Sequence, residues 1–352
     1  MIRQFTPAAV LTVIALAVAL LVGGPQDLAV VAILGVLEIS LSFDNAVVNA
    51  KVLQRMHPIW QKLFLTVGIL IAVFGMRLVL PVLIVAVTAH LSVPDVVNLA
   101  TNDATAYGEK LDAAKQAIYA FGGTFLFMIF LDFVFDSERE VRWLTRTETA
   151  LAKIGKLDQL SVVVAVAAIL LMSSITDAAK AKTVLVSGLI GLGAYLVINA
   201  LDNLFEESME DQPDEGTSGA GMTKQVFKAG IFTFLYLEVL DASFSFDGVI
   251  GAFAISNKVL VIALGLGVGA FWIRSLTLYL VRQGTLSEYV YLDHGAHWAI
   301  GVLAVIMILQ VRFSVPEVVT GLTGVAFIGL ALISSILERR KQRDDDRELI
   351  PA

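Results

Sequence analysis

Cysteine is absent from this chain, and histidine occurs only at His57, His90, His294 and His297. Without thiols there are no disulfides, thiolate metal sites or cysteine nucleophiles. The four histidines fall in loops or at helix ends, where solvated or interfacial roles are expected of them. Charge is scarce as well. Asp, Glu, Lys and Arg make up 16% of the 352 residues, against about 25% in soluble domains. A deficit of that size over a long chain means that most of the surface faces lipid. No basic stripe points to nucleic acid. No phosphate loop points to ATP: GLGVGAF (265–271) is a spacing that lets helices approach closely. Neither a prosthetic group nor an enzymatic activity is expected.

What the chain has in abundance is apolar sequence, 57% of its residues, with a mean hydropathy of +0.80. A hydrocarbon core about 30 Å thick needs roughly 20 apolar residues per helix. Runs of that kind fall near 6–23, 28–50, 63–87, 117–135, 160–176, 183–200, 229–255, 259–281, 296–311 and 317–337. The first follows Arg3 but precedes no small-residue cleavage site, so it reads as a retained helix and not a signal peptide. The expected fold is all-α, a polytopic transmembrane bundle of about ten helices, because lipid forbids unpaired backbone. With alternating helices and both termini cytoplasmic, 17 of the 25 Lys and Arg lie inside and six outside; Arg77 and Arg274 lie within helices. That bias favours both termini inside. The expected location is a membrane that the chain spans, with lipid as a partner and a homo-oligomer left open.

The polar segments divide the chain. Residues 1–205 form a first transmembrane half and 226–338 a second, joined by an acidic, Gly/Ser-rich linker at 206–225 that is expected to be flexible. Residues 339–352 read as a charged, disordered cytoplasmic tail.

The two halves repeat. LEISLSFDNAVVNA (37–50) matches LDASFSFDGVIGAF (240–253), pairing Glu38 with Asp241, Ser42 with Ser245, Asp44 with Asp247 and Asn45 with Gly248. Phe74-Gly-Met-Arg77 matches Phe271-Trp-Ile-Arg274, and a weaker match lays 118–138 over 297–317, Gly122 on Gly301. Apolar composition explains the last match but not recurring acids followed by an Arg. The related helices are the second and the seventh, so the halves are expected to be inverted, an arrangement that places substrate sites between repeats near the midplane.

An ionised Asp at the bilayer centre costs about 2.5–3.5 kcal/mol on insertion scales. This chain places Glu38, Asp44, Glu238, Asp241 and Asp247 in two helices, Asp132 and Asp136 near the end of the fourth, and Asp177 at the end of the fifth. Arg77 and Arg274 can neutralise two of these as counter-ions. The rest ask for another cation, and Asp132, Asp136 and Asp177 are candidates for its pathway. On an unbroken helix six residues turn by about 240°, so Glu38, Ser42, Asn45 and Asn49 share one stripe while Asp44 faces elsewhere. A helix broken at Ser-Phe-Asp would let both acids address one site, and this is the arrangement favoured here; a straight helix with two separate partners is the alternative. The ligands on offer are hard: carboxylates of Glu38, Asp44, Asp241 and Asp247 and the Asn45 amide, supported by Ser42, Ser245, Glu238 and Asn49. Such oxygens suit Mn²⁺, Mg²⁺ or Ca²⁺.

At these residues the chain resembles the TerC family of bacterial membrane proteins, within the LysE-like transporter superfamily. The resemblance rests on LEISLSFDNAVVNAKV, on the Ser-Phe-Asp copy at 245–247 and on the helix-borne arginines, and extends loosely over 28–337. It implies transport of a divalent cation, chiefly manganese efflux, and an association with tellurite resistance. By position it assigns Glu38, Asp44, Asn45, Asp241 and Asp247 to the metal. Gly248 and Asp241 depart from their counterparts Asn45 and Glu38, so the site is expected to be asymmetric. A secondary exporter of Mn²⁺ is the leading expectation. The alternatives are an accessory protein for metal delivery or stress resistance and an intramembrane aspartyl protease built on Asp44 and Asp247.

Overall fold

The computed structural model describes residues 2–157, 159–210, 220–256, 258–283 and 289–348; residues 201–210, 220–229 and scattered others, among them Asp44, Arg77 and Asp247, are described by backbone alone. Among the described residues every regular element is a helix. In order the elements are α1 (Ile2–Leu41), α2 (Phe43–Arg55), α3 (Pro58–Leu70), a π-helical segment (Ile71–Val79), α4 (Leu80–Ala89), α5 (Val93–Asn102), α6 (Ala104–Phe135), α7 (Thr145–Ile154), α8 (Leu160–Ile175), α9 (Ala178–Glu210), α10 (Ala220–Ile255), α11 (Val259–Gln283), α12 (Leu292–Gln310) and α13 (Glu317–Glu348). Large apolar side chains such as Leu21, Val22 and Val87 are exposed, as lipid-facing positions are in an integral membrane protein.

Six helices among the described residues are long and apolar enough to cross a bilayer, and a seventh crossing results if Pro81–Ala89 and Val93–Asn102, bent by 115°, count as one broken span. The expected ten are not reached by length and composition, for identifiable reasons. The segment around 229–255 carries Glu238, Asp241 and Asp247. The expected third span is interrupted by the π segment, and the fifth has only 16 residues. Apart from the end of the second, which lies in α2, the first two expected spans form one continuous element, α1.

That element is nevertheless two arms. Gly24 has φ 75° and ψ −167°, a conformation open essentially to glycine alone. Before it, Phe5 packs on Trp272 and Tyr279, Thr12 accepts a hydrogen bond from the Trp272 indole, and Ala19 packs with Val261. After it, Asp27 pairs with Lys258, Leu34 abuts Gly265, and the Glu38 stem abuts Gly269. Numbers on α11 fall along the first arm and rise along the second. The arms therefore run in opposite directions, and Gly24 is the hinge of a hairpin clasping α11. The glycines of GLGVGAF make the close approach possible: a Cβ on Gly265 would stand 2.5 Å from that of Leu34.

The second arm and α2 run parallel to α11, so α10, which turns back into α11 within a few residues, runs antiparallel to α2. α6 and α12 also cross antiparallel, Gly122 against Met307 and Gly301 against Phe130. The main core gathers buried side chains of α2, α6, α8, α9, α10 and α12, with Phe125, Met172 and Ile300 at its centre; the π segment packs on α10 and α11.

The structure bears on three expectations. The favoured break at Ser-Phe-Asp is a single distorted residue, Ser42 (φ −101°, ψ 13°). The Ser42 amide still donates to the Glu38 carbonyl (2.9 Å), and the Ser42 carbonyl accepts from Ala46 (3.3 Å). In the second copy α10 is unbroken. The tail expected to be disordered continues α13 to Glu348, since Glu, Lys, Gln and Arg are good helix formers. The linker is helical at both ends, up to Glu210 and from Ala220; 211–219 lie outside the described residues.

Replacement of Gly24 by Ala should cost about 1–3 kcal/mol through backbone strain alone, because no atom lies within 4 Å of an added Cβ. A lowered thermal midpoint in detergent would register it; an unchanged midpoint would mean that the hinge is not held at that φ.

Candidate functional site

Two polar stripes meet where α2 crosses α10. On the first, Glu38, Ser42, Asn45 and Asn49 are 1–2% exposed, the shared face that helical spacing predicts. On the second, Asp241 and Ser245 are buried, and Gly248 continues the row. The Asn45 amide donates to Asp241 Oδ1 at 2.5 Å. A Cβ built on Gly248 would lie 2.5 Å from Glu38 Oε2. The repeat carries Asn45 onto Gly248 and Asp241 onto Glu38, so these two contacts are the same contact seen from opposite sides of a pseudo-twofold axis. The inverted repeat is thereby visible at the level of side chains.

Local hydrogen bonding prepares the acids. Ser42 Oγ donates to Glu38 Oε1 at 2.8 Å, one helical turn along the same face. Neither carboxylate oxygen of Glu238, nor Oδ2 of Asp241, nor Ser245 Oγ, nor Asn49 Oδ1 meets a hydrogen-bond partner among the described residues. A buried polar group left so costs about 1–3 kcal/mol, more when charged. Arg274 supplies positive charge: its guanidinium lies 3.8 Å over the Phe64 ring, and it interacts electrostatically with Glu238, as does Asp241. Gly68 leaves room for them, since a Cβ there would be 2.9 Å from Glu238 Oε1 and 3.5 Å from Arg274 Nη2. Ser42, Asn45, Asn49, Asp241, Arg274 and Thr277 help line a cavity of about 10 Å³, roughly the volume that holds one water.

The other predicted residues separate. The side chains of Asp44, Arg77 and Asp247 lie outside the described residues; all three positions are on helical backbone, Arg77 within the π segment. Asp132 accepts a hydrogen bond from the Tyr195 hydroxyl at 2.6 Å. Asp136 caps the Glu138 amide and lies 3.4 Å from Arg139. Asp177 is exposed, 3.9 Å from Arg312. Among the described residues no three His, Asp or Glu side chains form a group that could hold a metal ion.

A second polar cluster escaped the sequence. At the Lys51 end of α2, Asp293 receives Lys51, Arg139 (3.3 Å) and His297 (3.1 Å), while Phe133 stacks on His297 and lies under Arg139. Beside it His294, expected to be solvated or interfacial, is buried and meets Glu148 at 3.1 Å. Glu148 also accepts from Trp298 Nε1 (2.9 Å) and from the Trp143 and Leu144 amides. Val47, Val48 and Lys51 share with Asp293, His297 and Tyr236 the wall of a cavity of about 670 Å³. The Asp293-His294 pair followed by His297 at the start of α12 was a local signal, but its partners Lys51, Arg139 and Glu148 lie more than a hundred positions away.

The profile of the family described as "Protein of unknown function (DUF475)" matches residues 43–342, a stretch that includes Asn45, Asp241 and Gly248 and begins after Glu38. Among curated proteins, "Uncharacterized membrane protein YceF" of Bacillus subtilis (strain 168) is 28% identical over 156 residues, 43% of this chain and 58% of its own length. The chain thus aligns with less than two thirds of that relative. No solved structure matches it.

Burial raises the Glu148 pKa, but the hydrogen bonds from His294 and Trp298 outweigh it, and the net value lies below the ordinary 4.5. The ionised group therefore stabilises the fold above about pH 4.5, and this contribution drains away as pH falls through the lowered value. Thermal midpoints should drop on that acid limb. In Glu148→Gln they should start lower and fall less steeply; equal slopes would remove Glu148 as the cause.

Proposed function

Because the chain belongs to the DUF475 family and crosses the membrane with acids buried between antiparallel repeats, we propose that it is a secondary transporter exporting a divalent cation, with Mn²⁺ as the substrate, and not an enzyme. The observation that carries this is the crossing of the two stripes. Glu38 and Asp241 approach the pseudo-twofold axis from opposite halves, and the oxygens of Asp241 and Glu238 noted above meet no donor among the described residues. Like charges buried together need a cation or a proton to neutralise them, and exchange of one for the other is the elementary step of a proton-coupled exporter.

Carboxylate, amide and hydroxyl oxygens favour Mn²⁺, Mg²⁺ or Ca²⁺ over softer metals, and the TerC resemblance adds the preference for manganese. The cavity of about 10 Å³ suits a stripped ion better than an amino acid. Few acids around the ion suits transport, in which binding must be weak enough for the ion to leave. The cavity of about 670 Å³ at the Lys51 end gives such an ion a hydrated antechamber. The distribution of Lys and Arg favours placing that end in the cytoplasm of a bacterial cell, with both termini on the same side.

Reconstituted protein should carry Mn²⁺ into liposomes against Mg²⁺, Ca²⁺ and Zn²⁺ as competitors. Glu38→Gln combined with Asp241→Asn should lower flux at least about tenfold, as loss of ligands does elsewhere. Transport of none of these ions, or undiminished transport by the double variant, would remove the proposal.

A further inference from the structure

The two half-sites are not copies, and their differences compensate one another. Where the first stripe carries Asn45, facing Asp241, the second carries Gly248, facing Glu38. The longer acid stands opposite the residue with no side chain, and the shorter acid stands opposite the amide. Asp241 is held across the axis by a hydrogen bond; Glu38 is admitted across it by empty space.

Glu38 has little freedom to occupy that space in another way. Its stem is packed against α11, where a Cβ on Gly269 would stand 2.4 Å from Glu38 Cβ and 3.0 Å from the Gly35 carbonyl oxygen. Its Oε1 is held by Ser42. Its Oε2 is the oxygen directed at Gly248. After the Glu38 carboxylate, the next atom an added Cβ on Gly248 would meet is Leu266 Cδ2, at an ordinary contact distance of 3.8 Å. A methyl group at Gly248 therefore displaces the carboxylate and little else.

We propose that Gly248 is a positioning residue for the transported cation, setting how far the Glu38 carboxylate reaches across the pseudo-twofold axis toward Asp241. The cation site is then built from one amide-held acid and one long-reach acid. This rests on the transport function proposed above and assigns its asymmetry a cause. Two further features fit a ligand there: Asp241 Oδ2 and Ser245 Oγ, on the stripe that carries Gly248, are both buried with no hydrogen-bond partner among the described residues.

The test compares Mn²⁺ affinity of the purified full chain, Mn²⁺ flux in proteoliposomes and thermal midpoint for the wild type, Gly248→Ala, Gly248→Asn and Gly248→Asn with Glu38→Asp. Gly248→Ala should keep the wild-type midpoint yet bind Mn²⁺ about 10–100-fold more weakly, the range seen when residues that orient ligands are changed. Gly248→Asn should be at least as impaired. Adding Glu38→Asp to it recreates on the second side the Asp–Asn pairing of the first, and should recover affinity to within about threefold of wild type, roughly 0.7 kcal/mol. Wild-type affinity in Gly248→Ala, or no recovery in the double variant while its midpoint is native, would overturn the positioning role with transport intact. A wild-type protein that neither binds nor moves Mn²⁺ would overturn the transport function and this assignment together.

Discussion

Burying a row of carboxylates in a lipid-facing bundle sets the terms for everything packed around it. Each acid must find a donor, a counter-charge or a cation, because water is not at hand and the cost of leaving a charge alone exceeds what one helix contributes to stability. The bundle meets that demand by laying one polar stripe antiparallel on another. Asn45 then answers Asp241, Ser42 answers Glu38, and Arg274 brings its charge to the face shared by Glu238 and Asp241. Close helix approach is a precondition, and it comes from glycine. Gly265 and Gly269 let the N-terminal hairpin lie on α11, Gly68 opens room beside Glu238, and Gly248 opens room for Glu38.

The same economy explains the division between site and scaffold. Aromatic and aliphatic side chains of α6, α8, α9 and α12 supply most of the main core, with a few from α2 and α10, while the polar crossing is carried by α2 and α10 with α11 and the π segment beside it. Polar work is thus confined to a few helices, and the remainder need only pack and face lipid. The ion-pair knot around Asp293 lies where the Lys51 end of α2 meets the start of α12, where burial is incomplete and charge is cheaper to keep.

Much of this was written in local spacing. Glu38, Ser42, Asn45 and Asn49 fall on one face by helical period alone, and the match of 37–50 to 240–253 predicted inverted halves. The chain reversal before residue 28 was legible as a gap between apolar runs, although only φ at Gly24 shows how it is made. What local spacing could not convey was who stands opposite. A break at Ser-Phe-Asp was favoured because two acids seemed to need one site; with a complementary stripe across the interface, the helix can stay nearly regular. His294 looked like an interfacial residue because Glu148, its partner in space, lies 146 positions away in the chain. The helical tail past Arg339 shows the reverse case, in which intrinsic propensity prevails over a composition that suggests disorder.

α2 runs as a regular helix from Phe43 to Arg55, and it carries Asn45 at one end and Lys51 about 9 Å farther along its axis. Asn45 grips Asp241 on α10; Lys51 grips Asp293 on α12. A stiff rod pinned at two points to two different bodies behaves as a lever. Any tilt that draws the amide away from Asp241 also shifts the ammonium at the mouth, so the crossing of the two stripes and the rim of the large cavity share a single mechanical degree of freedom.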